Sequence, residues 1–268
     1  MLGNPSWPKK TSKTKFMVQP RHKGIYILPN LFTTASLFAG FMGLLWAVQG
    51  RFELCASAIL VSCLCDGLDG KVARLTKASS EFGIQLDSLV DLVAFGITPA
   101  TMVYLWQTQH LGRIGLVVSF LYLACGALRL ARFNVQAMHS AGGGKKFFTG
   151  LPIPAAACVL ATLVLFVSRF SPDLFQAILP SWCVGLTFVL ALLMVSKVRY
   201  ASFKDLEVVK THPYTMSVTV VLFFILVASE PRILSFLFFF AYLCSGLVYT
   251  YAVLPLRRGT FLRGLTSR

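Results

Sequence analysis

Acidic residues are scarce in this chain of 268 residues, which has 10 aspartates and glutamates against 25 lysines and arginines. Charged residues of both signs make up only 13% of the sequence, hydrophobic residues make up 56%, and the mean hydropathy is +0.71. Long polar stretches are also lacking, which excludes a separate soluble domain. The composition therefore indicates an integral membrane protein.

Other absences exclude particular classes of site. The seven cysteines form no CxxC pair and no Cys/His group, so we expect ordinary buried thiols and neither a zinc site nor a disulfide framework. The segment Gly142–Lys146 does not complete a phosphate-binding G-x-x-x-x-G-K-[ST] loop. No internal repeat is evident, which counts against an inverted-repeat transporter. The basic N-terminus is followed by no small-residue cleavage site, so we expect no signal peptide.

Apolar stretches long enough to cross a bilayer dominate the sequence and predict an all-α membrane domain with about eight transmembrane helices. The predicted spans are 28–48, 53–73, 84–106, 113–133, 151–169, 175–196, 214–229 and 233–253. The predicted domain covers 28–254, between a basic tail at 1–27 and a second basic tail at 255–268.

The lysines and arginines are distributed unequally between the two sides that eight spans would define. All of the 25 except Arg51, Arg113, Arg169 and Arg232 fall on the side that holds both tails. Because cytoplasmic loops are enriched in lysine and arginine, we predict that both termini of this multi-pass protein are cytoplasmic. The basic tails also suit a surface of anionic lipid.

Four of the few acidic residues form a pattern across the second and third spans. Asp66 and Asp69 are three residues apart near the end of one span, and Asp87 and Asp91 are four apart at the start of the next. Each spacing places both carboxylates on one face of a helix. In an antiparallel hairpin the four would converge at the cytoplasmic ends of helices 2 and 3.

Carboxylates at this depth are costly, and four together would repel one another unless they bound cations. Carboxylate oxygens without cysteine or histidine select hard cations such as Mg²⁺ or Mn²⁺. Two such ions can support displacement at a phosphorus atom. The residues alone therefore predict metal-dependent phosphoryl chemistry on a lipid, whereas a divalent cation transporter is a remote alternative.

A second polar segment follows the fourth predicted span. Arg129 and Arg132 are three residues apart on the side that holds the aspartates. Arg132 is readily explained as a topology signal, whereas Arg129 lies deeper in the span. Either could contact a phosphate or an acidic substrate.

The aspartates belong to a longer pattern, D-x2-D-G-x2-A-R-x8-G-x3-D-x3-D, which runs from Asp66 to Asp91. This pattern resembles the signature of the CDP-alcohol phosphotransferase family at every fixed position. Further similarity includes Leu28–Asn30, Ser80–Gly83, Arg129–Asn134 and Gly150–Pro154.

The resemblance implies that the four aspartates hold two divalent cations and that Asp91 is also the catalytic base. It implies a CDP-diacylglycerol site that is formed by Asn30, Thr33, Asp66, Gly70, Ala73, Arg74 and Thr76. It also suggests a homodimer in the bacterial inner membrane. Arg129 and Arg132 are candidates for serine or phosphate binding.

The implied reaction transfers a phosphatidyl group from CDP-diacylglycerol to an alcohol and releases CMP. The outer motifs favour L-serine over glycerol phosphate or inositol as the acceptor. A sister activity with choline or glycerol 3-phosphate is the main alternative.

Overall fold

The computed structural model describes residues 27–76, 81–139, 150–170, 177–196, 198, 230–248 and 250. Within these residues the regular structure is helical and no strand occurs. The predicted seventh span, 214–229, and nearly all of both basic tails lie outside the described residues.

The helices follow the predicted spans closely. They are α1 (Ile27–Val48), α2 (Phe52–Thr76), α3 (Glu81–Asp91), α4 (Thr98–Trp106), α5 (Arg113–His139), α6 (Ile153–Val167), α7 (Leu179–Val195) and α8 (Pro231–Val248). A π-helical segment, Leu92–Ile97, joins α3 to α4 without a break, and a short 3₁₀ helix, Thr108–Leu111, precedes α5.

Among the residues that the structure describes, four helices are long and apolar enough to cross a membrane, namely Asn30–Val48, Phe82–Trp106, Arg113–Gln136 and Pro231–Val248. The helices α6 and α7 are apolar but shorter, with 15 and 17 residues. Large apolar side chains such as Phe38, Leu64 and Trp182 are exposed on the outside of the bundle, as lipid-facing residues are. These features are those of an integral membrane protein, and the total of eight crossings stays a prediction.

The bundle is built around the pairing of α1 with α2 and of α5 with α7, and α6 packs between α2 and α8. Its core contains wholly buried residues from α2, α6 and α7, such as Ile59, Leu160 and Leu190. The seven cysteines are free thiols, of which four are buried and three are half-buried.

The π-helical segment is held from both sides. A Cβ atom on Gly40 of α1 would lie 2.8 Å from Ala94, so a larger residue there would force the two backbones apart. The Thr98 hydroxyl lies 3.0 Å from the carbonyl oxygens of Gly40 and Val93 and donates to one of them at a time. The hydroxyl of the buried Tyr122 of α5 donates to the carbonyl oxygen of Phe95 at 3.1 Å. These contacts fix the π turn in place. The turn begins directly after Asp91.

Candidate active site

Residues of α2 and α3 bring three carboxylates together. Asp66 and Asp69 lie in the C-terminal half of α2, and Asp87 lies in the second turn of α3. One carboxylate oxygen from each of the three lies within 4.8 Å of the others. Asp69 is buried, and Asp66 and Asp87 are half-buried.

Asp91 is placed differently from the other three aspartates. Its carboxyl lies close enough to that of Asp66 for a side-chain hydrogen bond, but Asp91 does not belong to the group of three. Its Oδ1 atom is buried and has no hydrogen-bond partner. A buried acceptor without a donor is costly, so this atom is suited to a group that arrives with a substrate.

Thr33 reaches the cluster from α1. Its hydroxyl donates to Oδ2 of Asp69 at 2.9 Å, and both side chains are buried. Deeper in the bundle, the hydroxyl oxygens of Ser36 and Ser62 lie 2.7 Å apart and join the same two helices. The α1–α2 contact thus orients one of the three clustered carboxylates.

The remaining residues of the implied nucleotide site lie along the same end of the bundle. Asn30 is half-buried in the first turns of α1, and Gly70 is half-buried one residue after Asp69. Ala73, Arg74 and Thr76 fall in the last turns of α2, and their side chains lie outside the described part of the structure.

The two arginines of α5 have different environments. Arg129 is half-buried, its Nε is buried without a hydrogen-bond partner, and its guanidinium interacts electrostatically with Asp91 and with Tyr242 of α8. Arg132 is exposed, and its Nη1 donates to the carbonyl oxygen of Val195 at 3.4 Å. Of the two, the structure places only Arg129 beside an aspartate of the site.

A polar cluster of α3 and α5 is not evident from the sequence. The Ser88 hydroxyl donates to Oδ1 of Asn134 at 3.0 Å, and Nδ2 of Asn134 donates to Oε1 of Gln85 at 3.1 Å. Asn134 belongs to the segment that carries the family resemblance, whereas Gln85 and Ser88 flank Asp87 inside the aspartate pattern but are not among its fixed positions. The signal that could have indicated Ser88 is its place one helical turn before Asp91.

The donor set fits a hard divalent cation. Three carboxylates this close would repel one another strongly if all were ionised without a counterion. They offer only oxygen ligands, which suits Mg²⁺ or Mn²⁺. The described residues could therefore hold a cation with Asp66, Asp69 and Asp87.

Comparison with known proteins identifies the class to which this fold and site belong. The family model for CDP-alcohol phosphatidyltransferases matches residues 26–193. The chain belongs to this family, as the aspartate pattern predicted.

Curated relatives extend the similarity over most of the chain. The chain is 37% identical over 224 residues to the CDP-diacylglycerol–serine O-phosphatidyltransferase of Helicobacter pylori, which covers 84% of this chain and 91% of the relative. It is 31% identical over 233 residues to the protein of the same name from Mycobacterium bovis, with 84% and 78% covered. It is 34% identical over 175 residues to the archaetidylserine synthase of Methanothermobacter thermautotrophicus, with 65% and 69% covered.

Proposed function

We propose that this protein is a CDP-diacylglycerol–serine O-phosphatidyltransferase, which makes phosphatidylserine and CMP from CDP-diacylglycerol and L-serine. The observation that carries the proposal is the cluster of Asp66, Asp69 and Asp87, with Asp91 and its unpartnered oxygen beside it. The names of the relatives support serine as the acceptor.

In the proposed reaction, the serine hydroxyl oxygen forms a bond to the phosphorus that bears diacylglycerol. The bond from that phosphorus to the bridging oxygen breaks, and its electron pair leaves with CMP. Asp91 takes the hydroxyl proton, and its buried Oδ1 without a hydrogen-bond partner supports this role. Divalent cations held by Asp66, Asp69 and Asp87 would supply positive charge against the charge that develops on the diphosphate.

We also propose the membrane arrangement in which this reaction takes place. Eight crossings would put the aspartates at the cytoplasmic ends of α2 and α3, on the side with most of the lysines and arginines. Asn30, Thr33, Gly70, Ala73, Arg74 and Thr76 would border the CDP-diacylglycerol site. The family resemblance favours a homodimer in the bacterial inner membrane.

The experiment that tests the proposed function is CMP release from CDP-diacylglycerol by the purified protein. We expect release to depend on L-serine, to stop with a chelator and to return with Mg²⁺ or Mn²⁺. A higher rate with choline or glycerol 3-phosphate than with L-serine would assign a sister activity. Metal flux into liposomes without turnover would support a cation transporter.

Thr33 provides a test of how Asp69 is oriented. In Thr33→Val we expect the metal concentration for half-maximal activity to rise about 10-fold, because groups that orient a metal ligand typically contribute 10–100-fold to affinity. Thr33→Ser keeps the hydroxyl and should restore the wild-type value. Metal titrations of activity and of Mn²⁺ binding measure the effect.

Thr34→Val is the matched control, since the exposed Thr34 donates its hydroxyl to the Asn30 carbonyl and not to an aspartate. We expect its metal dependence to be unchanged. A raised KM for CDP-diacylglycerol in Thr33→Val, with unaltered metal dependence, would instead make Thr33 a substrate contact.

A further inference from the structure

We propose that the acceptor amino acid binds between α3 and α5, with its hydroxyl on Asp91 and its carboxylate on Arg129. This inference rests on the proposed function and assigns the acceptor subsite within it. It selects Arg129 over Arg132 as the partner of the carboxylate. It adds Ser88 and Asn134 as the groups that recognise the ammonium of the amino acid.

Two buried polar atoms without partners form the centre of the subsite. Oδ1 of Asp91 is an acceptor, Nε of Arg129 is a donor, and the two side chains interact electrostatically. Each lacks the complementary group that a buried polar atom normally has. A β-hydroxy amino acid supplies both, since its hydroxyl donates and its carboxylate accepts.

The distribution of charge around the site also assigns the substrate carboxylate to Arg129. A substrate carboxylate next to four aspartates would be repelled unless a cation stood beside it. Among the cations whose side chains the structure describes, Arg129 is the one that interacts with Asp91. Arg132 is exposed and donates to a backbone carbonyl of α7. Arg129 is therefore the better partner for the carboxylate.

The ammonium would meet oxygen atoms one helical turn away. Ser88 is three residues before Asp91 on α3, about 5 Å along the helix axis. Its hydroxyl hydrogen points to a carbonyl-type oxygen, either Oδ1 of Asn134 or the backbone oxygen of Ile84. The Ser88 oxygen consequently presents its lone pairs to a donor. The hydroxyl of the amino acid thus meets the acceptor of Asp91, and its carboxylate meets the cation of Arg129. Its ammonium meets the acceptor of Ser88.

The test compares three acceptors that differ by one group each, namely L-serine, ethanolamine without the carboxylate, and 3-hydroxypropionate without the ammonium. In Arg129→Gln we expect the KM for L-serine to rise about 100-fold, since a buried charge pair contributes strongly to binding. We expect kcat/KM for ethanolamine to be smaller than that for L-serine in the wild type and to change little in the variant, because ethanolamine has no carboxylate. In Ser88→Ala we expect kcat/KM to fall about 10-fold for L-serine and to change little for 3-hydroxypropionate. Arg132→Gln is the matched control and should retain the wild-type KM for L-serine.

Binding of CDP-diacylglycerol to each variant shows that it is folded. If Arg129→Gln does not fold, Arg129→Lys keeps the charge, and we expect its KM for L-serine to rise less while its KM for CDP-diacylglycerol stays constant. If Arg129→Gln lowered kcat/KM equally for all three acceptors, or raised the KM for CDP-diacylglycerol, Arg129 would contact the diphosphate. That result would overturn the proposed acceptor subsite but not the proposed function. Wild-type protein that releases no CMP with L-serine would overturn the proposed function as well.

Discussion

Asp91→Asn is expected to abolish turnover while the protein still binds metal and CDP-diacylglycerol. The amide has nearly the same shape as the carboxyl but cannot take the proton of the acceptor hydroxyl. Loss of a general base typically costs 10²–10⁴-fold in rate. Because Asp91 lies outside the group of three clustered carboxylates, we expect the metal site to survive. Single-turnover CMP release, together with direct binding of Mn²⁺ and of CDP-diacylglycerol, measures the separation.

Glu53→Gln is a suitable control for the removal of one carboxylate. Glu53 lies in the first turn of α2, at the opposite end of the helix from the aspartates, where it forms an exposed ion pair with Arg232 at 3.4 Å. An exposed pair of this kind contributes little to stability, so activity should remain close to that of wild type. If Asp91→Asn lost metal binding together with turnover, Asp91 would be a metal ligand in place of a base.

Asp66→Ala should lose metal binding and activity together, with a rate at least 100-fold below that of wild type. Asp66 contributes to the cluster of three carboxylates and also contacts Asp91, so its removal affects both parts of the site. Mn²⁺ binding and CMP release measure the two losses in one preparation.

Thermal unfolding provides an independent measurement on Asp66→Ala. A cation that binds only the folded protein raises its melting temperature, so wild type should be stabilised by Mg²⁺ or Mn²⁺. We expect the variant to show almost none of this stabilisation. Without metal it should melt no lower than wild type, because one carboxylate has been removed from a group that repels itself. Full activity, or an unchanged response to metal, would remove Asp66 from the site.

The sequence indicated the two helices and their clustered carboxylates because both depend on local spacing. Three and four residues between aspartates correspond to one helix face, and the apolar flanks determine where each helix lies in the bilayer. The boundaries differed by a few residues where local chemistry intervenes. The predicted span 175–196 begins as helix α7 only at Leu179, next to Pro180, which is favoured in a first turn.

Contacts between helices that are distant in sequence could not be predicted from local spacing. The hydrogen bond from Thr33 to Asp69 joins residues 36 positions apart. The contrast between Arg129 and Arg132 arises from the residues that α3, α7 and α8 bring near them. The sequence left both arginines open as candidates because a spacing of three does not state which side chain is buried. The π turn was missed for a related reason, since apolar composition alone reads 84–106 as one regular helix.

The π turn between Asp91 and Thr98 has a consequence for chain length in this segment. A π turn holds about one residue more than an α turn, so removing one residue from 92–97 would let the segment revert to ordinary α-helix with α3 and α4 in nearly the same rotation about the axis. Removing one residue from α3 or α4 would instead turn everything beyond the deletion by about 100°, and either the aspartates or the hydroxyl of Thr98 would leave its neighbours. We therefore expect a single-residue deletion to be tolerated better within 92–97 than within α3 or α4.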